Sequence, residues 1–331
     1  MLTRRLRDAI TDWDPDVIHC HDLLTTPVGV AVARRTRAHV IFDSHEIFEE
    51  VSQITRRRRL RYKRIQRRIS KRVDGFVTVN DSIAAFLCDR YPKLPEPVVV
   101  RNATLAPTAR TVDDGRLRIA ADLAPTDRIL LYQGGFARHR GLDILVESAP
   151  LLPERWFLVM MGWGAFEPLL RRRAAQIDPD GRRIRFLPGA PHAELGLWMA
   201  GADLGVIPYE NVCLNHWFCS PNKLWEYPAA GVPFLASPFP ELTETVTTNG
   251  IGWLLPDPLT PEEIARTVAS ITEEELAAAS LKCREFIERD NWTLYETRLV
   301  DLYDRISPKR PRKNGVRPDP KAQTASQQSA T

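Results

Sequence analysis

The sequence reads as an α/β protein of two parallel-sheet domains, the first of them short of its opening strands. Three observations carry this. Apolar, β-branched runs of strand length recur along the 331 residues, each followed by a stretch of helix length. The runs are continuous rather than alternating, as in strands covered on both faces by βαβ crossovers. A polar stretch, 103–127, has no clear strand and separates four such runs from six.

In order, the chain opens on an amphipathic helix from Leu2 to Thr11 and passes straight to a strand at Val17. The first four runs are 17–20, 39–43, 75–79 and 97–102; the next six are 129–134, 156–162, 184–188, 204–209, 232–237 and 252–256. Six strands suffice for a doubly wound, Rossmann-like sheet, which normally opens on a strand and a Gly-rich turn. The first block has no such opening. Either its sheet is small, or the natural domain begins upstream of Met1. The expected divisions are a domain over 1–102, a connector over 103–127 and a second domain over 128–290. A closing helix, 291–306, is expected to pack back across the interface. The tail, 307–331, is Pro-rich and basic, with few large apolar residues, and reads as disordered.

Composition narrows the class. The hydrophobic fraction of 44% and charged fraction of 27% are those of a globular protein. No apolar run reaches the ~18 residues of a membrane span, and the N-terminus lacks the apolar core of a signal peptide. Five cysteines, an odd and sparse set, argue against a disulfide framework and for a reducing compartment. The cytoplasm is the expected location. The net charge of +4 is unevenly spread, because eleven of the seventeen positions from Arg56 to Arg72 are Lys or Arg. Such a block suits solvent, an anionic membrane surface or nucleic acid. No nucleic-acid motif accompanies it, so nucleic acid is not expected as a partner. Leu60, Ile65 and Ile69, with Tyr62 and Val73 nearby, give the segment a narrow apolar stripe.

The most informative stretch runs from Cys219 through Ser220-Pro-Asn222-Lys223-Leu-Trp-Glu226 to Ser237. Ser220 suits a helix N-cap and Pro221 the first helical position. Lys223 then falls beside free backbone N–H groups and the positive end of the helix dipole, an arrangement suited to anions. Glu226 follows one turn later on the same face. A lysine at a phosphate and a carboxylate at ribose hydroxyls would match a nucleotide. The same spacing also fits an ordinary capped helix with an i,i+3 ion pair. A second signal is Gly134-Gly135-Phe-Ala-Arg138-His-Arg140-Gly141 after the first strand of this half, and a third is Gly162 and Gly164 after the next. Glycines there let backbone approach a phosphate, at the sheet edge where such folds bind ligands.

Ser-Pro-Asn-Lys-Leu-x-Glu-Tyr-x-Ala-Ala-Gly-x-Pro resembles the donor-site signature of family 4 glycosyltransferases, which have the two-domain GT-B architecture. Gly134-Gly to Arg140-Gly141 resembles that family's glycine turn. Pro15-Asp-Val-Ile-His-Cys-His21-Asp22 and Phe42-Asp-Ser-His45-Glu46 resemble its acceptor-domain strands. The resemblance implies that Arg140 and Lys223 hold a donor pyrophosphate, with Gly134, Gly135, Arg138, Gly162 and Asn222 around it. Glu226 would hold the ribose. His45 would be the catalytic-site residue near the transferred sugar, with His21, Asp22 and Glu46 on the acceptor side. The implied activity is retaining transfer from a UDP- or GDP-sugar to a hydroxyl acceptor such as a lipid-linked glycan, with no obligatory cofactor or metal. Departures stand at Phe218, where the family often carries a second glutamate, at Gly135, where it carries a basic residue, and at the missing opening strands. Two other readings stay open on the residues: a catalytically inactive nucleotide-sugar-binding remnant or partner subunit, and a metal-dependent hydrolase using His19, His21 and His45.

Overall fold

The computed structural model describes residues 2–107 and 111–307; the tail expected to be disordered lies almost wholly outside them. The first sheet has four parallel strands in the order β1 (Val17–His21), β2 (His39–Ser44), β3 (Gly75–Thr78) and β4 (Pro97–Val99). The second has six: β5 (Arg128–Gly135), β6 (Trp156–Trp163), β7 (Ile184–Pro188), β8 (Leu204–Ile207), β9 (Phe234–Ala236) and β10 (Gly252–Leu254). Their order is β10-β9-β8-β5-β6-β7, all parallel. The winding reverses between β5 and β8, and a crevice opens at the carboxyl ends of such a pair.

Strand alternation explains the continuous apolar runs. Ile129 and Leu131 of β5 enter one core with Val159 and Met161 of β6, while Leu130 and Tyr132 enter another with Leu158 and Met160. Both faces of the sheet are therefore dry. In the first domain, Val40, Phe42 and Phe76 pack under the helices on one face. The opposite face, Ile41 and Val77, is covered by Leu302. That residue lies on the last helix, Trp292–Ile306, whose N-terminus is capped by the Asn291 side chain. Within the stretch 103–127, a short helix, Arg116–Ala120, buries Leu117 in the second domain's core.

The basic helix spans Arg56–Ile69 and is capped by Thr55. Its buried seam keeps Ile65 and Ile69 of the expected stripe and departs from it at Leu60. Tyr62, Gln66 and Ile69 point inward, and Leu60 is exposed among the arginines. Spacing by four and three residues from Tyr62 puts those three on one face, so the polar Gln66 follows the aromatic anchor inward.

The two domains are joined by hydrogen bonds across their cleft. The Ile47 N–H donates to Asn215 Oδ1 at 2.7 Å, and Asn80 Nδ2 to the Phe218 carbonyl at 2.7 Å. The Ser82 N–H donates to Glu241 Oε1 at 2.9 Å. Arg101 reaches both Glu241 and Asp81.

Candidate functional site

The site is built from the carboxyl ends of both sheets. In the second domain, the turn after β5 and the exit of β8 are tied together. The Gly141 N–H donates to Glu210 Oε1 at 3.2 Å, and the Glu210 N–H to the His139 carbonyl at 3.3 Å. His139 and Gly141 both have φ near +60°. A Cβ at Gly141 would lie 1.9 Å from the Pro208 carbonyl oxygen, so only glycine closes this turn.

This closure presents Arg140 to Tyr209, with Nη1 3.3 Å from the hydroxyl. Lys223 Nζ reaches the same hydroxyl at 3.4 Å from the opposite side in sequence, and lies 5.0 Å from the Tyr132 ring centroid. Gly134, with φ of 122°, leaves room for this ammonium; a Cβ there would meet Nζ at 2.9 Å. Arg140 and Lys223 thus converge on one phenol. Burial pushes that phenol up to about 12, so it stays a neutral hydroxyl. Lys223 is 5% exposed, and burial pulls its pKa below the ordinary lysine value. Among the described residues no carboxylate lies within ion-pair distance of it. A cation buried beside another cation, with no carboxylate in direct contact, is a poor structural device and a good anion receptor.

The helix carrying Lys223 spans Lys223–Ala229. Asn222 occupies its N-cap position, not Ser220, and caps with no side-chain bond. The expected Ser220 cap is therefore corrected: the Ser220 hydroxyl is buried without a partner. The chain at Asn222 already has helical angles, and the Asn222 carbonyl accepts the first turn's bonds from Trp225 and Glu226. Lys223 consequently begins the helix. Glu226, one turn on, is fixed by Gln133 Nε2 at 2.5 Å.

Gly162 pairs with Gly134 across β5 and β6, and a Cβ there would strike the Gly134 carbonyl oxygen at 1.9 Å. Gly135 faces open space by comparison. Arg138 is exposed, its guanidinium over the Phe166 ring at 5.6 Å, outside the Tyr209 cluster. Phe218 packs toward the first domain, 6.4 Å from Phe86.

Across the cleft, His21 ends β1 with His19 two residues before it, Asp43 lies near the end of β2 and His45 follows it. The register pairs His21 with Asp43. Three imidazole nitrogens gather on Asp43 Oδ2: His19 Nε2 at 3.0 Å, and His21 Nδ1 and His45 Nε2 each at 3.2 Å. Burial alone would raise the Asp43 carboxyl, but hydrogen bonds from His19 and His45 outweigh it and hold the group well below the usual carboxylate range. The same bond with Asp43 raises His45. Asp22, at φ of 64°, turns its carboxylate to the His45 N–H at 3.0 Å and so ties the two strand ends together. Glu46 is exposed beside them, and its carbonyl accepts from the Ser44 hydroxyl.

The two halves share a cavity of about 530 Å³, lined by His21, Asp43 and His45 on one side and by Asn222 and Glu226 on the other. Sequence reasoning missed Tyr209, Gln133 and Tyr303, whose hydroxyl meets His19 Nδ1 at 2.8 Å, as parts of the site, and did not single out Asp43. Asp43 was discoverable, since parallel pairing of the two strand ends sets it opposite His21. Tyr209 carried no such signal, because it depends on β8 lying beside β5.

The family model described as "Glycosyl transferase 4-like domain" matches residues 1–103, and that described as "Glycosyl transferases group 1" matches residues 127–274. The chain belongs to the group 1 glycosyltransferases of GT-B architecture. Among curated relatives of this group 1 chain, the D-inositol 3-phosphate glycosyltransferase of Jonesia denitrificans is 27% identical over 249 residues, covering 70% of this chain and 57% of that protein. A glycogen synthase of Mycobacterium tuberculosis is 24% identical over 311 residues, covering 90% and 71%. The chain spans about half the length of the D-inositol 3-phosphate glycosyltransferases it matches. Among solved structures, the sucrose-phosphate synthase of Thermosynechococcus elongatus superposes with a TM-score of 0.74 at 19% identity, covering 92% of this chain and 77% of that one. Anabaena Alr3699/HepE in complex with UDP-glucose superposes with a TM-score of 0.75 at 14% identity, covering 92% and 82%. The structural likeness is one of fold, with two parallel-sheet domains in each.

Proposed function

We propose that this chain is a retaining glycosyltransferase that moves a sugar from a UDP- or GDP-linked donor to a hydroxyl acceptor, such as a lipid-linked or cell-surface glycan precursor. The observation that carries the reading is the meeting of Arg140 and Lys223 at the Tyr209 hydroxyl, one helical turn from a Glu226 that opens onto the shared cleft. Two cations at the crevice of a Rossmann-like sheet suit a diphosphate. Glu226, already accepting from Gln133, has oxygen capacity left for ribose hydroxyls.

In this reading the chemistry is electrostatic. As the glycosidic bond breaks, negative charge grows on the departing diphosphate, and in this reading Arg140 and Lys223, which meet one helical turn from Glu226, stabilise it. The acceptor attacks from the face the leaving group departs, and a leaving phosphate oxygen takes its proton. The sugar keeps its configuration and no carboxylate nucleophile is needed. His45, raised by Asp43, sits on the acceptor side of the cavity as a donor to the transferred sugar. The reading requires no metal or other cofactor. The interdomain bonds at Asn215 and Phe218 bridge the two sides of the cleft, and closure of the domains on bound donor would limit water, which competes with the acceptor.

The experiment is a thermal-shift series with UDP, GDP and ADP on wild type, Glu226→Ala and Lys223→Ala. One nucleoside diphosphate is expected to stabilise wild type, by about 2.7 kcal/mol at a hundred times its dissociation constant. Glu226→Ala should weaken that binding roughly 10–100-fold, the worth of hydrogen bonds to a charged group. A shift left intact by both substitutions rules out this site. With the matching nucleotide sugar, the product's anomeric coupling in NMR reads the stereochemistry, and inversion would overturn the retaining reading.

A peripheral location at the inner face of the cytoplasmic membrane completes the proposal. Among the described residues no helix is long and apolar enough to cross a membrane. The Arg56–Ile69 helix instead exposes most of its arginines around Leu60. Each basic residue near an anionic surface contributes up to about 1 kcal/mol. Sedimentation with phosphatidylserine vesicles should be strong at low ionic strength and fade at high salt. Equal sedimentation with neutral vesicles would remove the membrane from the proposal.

A further inference from the structure

We propose that His21, His45 and Asp43, with His19 adjoining, form a binding site for a divalent transition metal of the zinc, cobalt and nickel class. The argument is geometric and does not rest on the transferase reading. His21 Nδ1 and His45 Nε2 are 3.3 Å apart, and each is 3.2 Å from Asp43 Oδ2. These three atoms make a nearly equilateral triangle. Ligands at zinc's bond lengths in a tetrahedral shell are about 3.3 Å apart, so the triangle has the dimensions of one face of such a shell. His19 Nε2, 3.0 Å from the same oxygen, is placed to supply the next ligand, and the ligand atoms of His19, His21 and Asp43 lie within 4.8 Å of one another.

Hydrogen bonding alone accounts poorly for this cluster. One carboxylate oxygen offers about two lone-pair directions, and three imidazole nitrogens crowd it. Two of those nitrogens also face each other, an arrangement in which both can be lone-pair donors to a cation but not both hydrogen-bond donors to each other. A supporting partner is present as well. The Tyr303 hydroxyl is 2.8 Å from His19 Nδ1, and so orients the ring with Nε2 toward Asp43. Two imidazoles and a carboxylate are borderline ligands that suit zinc, cobalt or nickel better than magnesium or calcium. The open side faces the 530 Å³ cleft, which leaves a coordination position for water or an acceptor oxygen. Because His45 would be a ligand, metal occupancy and the role proposed for His45 in transfer exclude each other, a consequence that alone rests on the transferase reading.

The test uses zinc alone, titrated into the full chain in metal-stripped, nucleotide-free buffer against a chromophoric chelator, with cobalt absorption as a second readout. One equivalent is expected to bind. His21→Ala removes a side chain that is 66% exposed, so the fold is not at risk. It should weaken zinc at least about 10–100-fold, no less than the loss of an outer-shell partner costs. His39→Asn removes a histidine from the other end of β2 and should bind as wild type does. Absence of a bound equivalent in wild type, or equal affinity in His21→Ala, would overturn the site. Nucleotide binding plays no part in these outcomes, so the transferase reading stands or falls separately.

Discussion

Lys223→Met is expected to cost roughly 10²–10³-fold in kcat/KM with the matching nucleotide sugar, the loss typical of removing one preorganised charge-stabilising donor. The same variant should unfold at a temperature no lower than wild type. The ammonium is buried without a carboxylate partner, beside a second cation, and burial already lowers its pKa. Replacing it by an apolar chain of similar length removes that penalty. The pH dependence has a definite sign. A lysine whose folded pKa lies below its unfolded value of about 10.4 carries its burial penalty at low pH, and the penalty is relieved as pH rises between the two values. The stability advantage of Lys223→Met should therefore shrink toward alkaline pH. Nucleoside diphosphate binding to wild type should weaken over the same range and take up protons, read by calorimetry in buffers of different ionisation enthalpy. A large drop in melting temperature, with binding retained, would make Lys223 a structural residue instead.

Gly141→Ala is expected to lose both stability and donor binding. The residue has φ of 63°, where a Cβ costs about 1–2 kcal/mol, and its Cβ would lie 1.9 Å from the Pro208 backbone oxygen. Relieving that clash moves backbone on one side or the other, which costs about 1–3 kcal/mol more. The turn that aims Arg140 at Tyr209 is what moves. Gly181→Ala separates the two costs, because Gly181 has φ of 61° and nothing within 4 Å of a built Cβ. It should lose only the backbone share and keep full nucleotide affinity. Equal denaturation midpoints for the two variants would show that the Pro208 contact does not constrain the turn.

The strand runs were legible because a strand buried on both faces needs apolar residues at consecutive positions; Ile129 to Tyr132 feed two cores in alternation. Glycines at 134, 141 and 162 were legible as a turn signal, though their reasons differ. Gly134 clears the Lys223 ammonium, whereas Gly141 and Gly162 clear backbone oxygens. The Ser220 cap was misread because the helix begins two positions later than its capping chemistry suggests, with Asn222 at the N-cap. The seam of the basic helix was legible at Ile65, Ile69 and Tyr62, which pack inward; only Leu60 was misplaced, and the polar Gln66 takes the position one turn after Tyr62 on the core side.

Local chemistry thus determined which segments are strands, where the phosphate-sized turns fall, and which residues have charge to offer. Tertiary structure decided which of those charges meet. Arg140 and Lys223 are 83 positions apart, and they reach one hydroxyl only because β8 lies beside β5 and sets Tyr209 between them. His19, His21 and His45 gather on Asp43 only because β1 and β2 end in register. Spacing along a chain fixes neighbours within a helix or strand, where the backbone geometry is repetitive; between strands the neighbour is chosen by sheet order, which the packing of the whole domain settles.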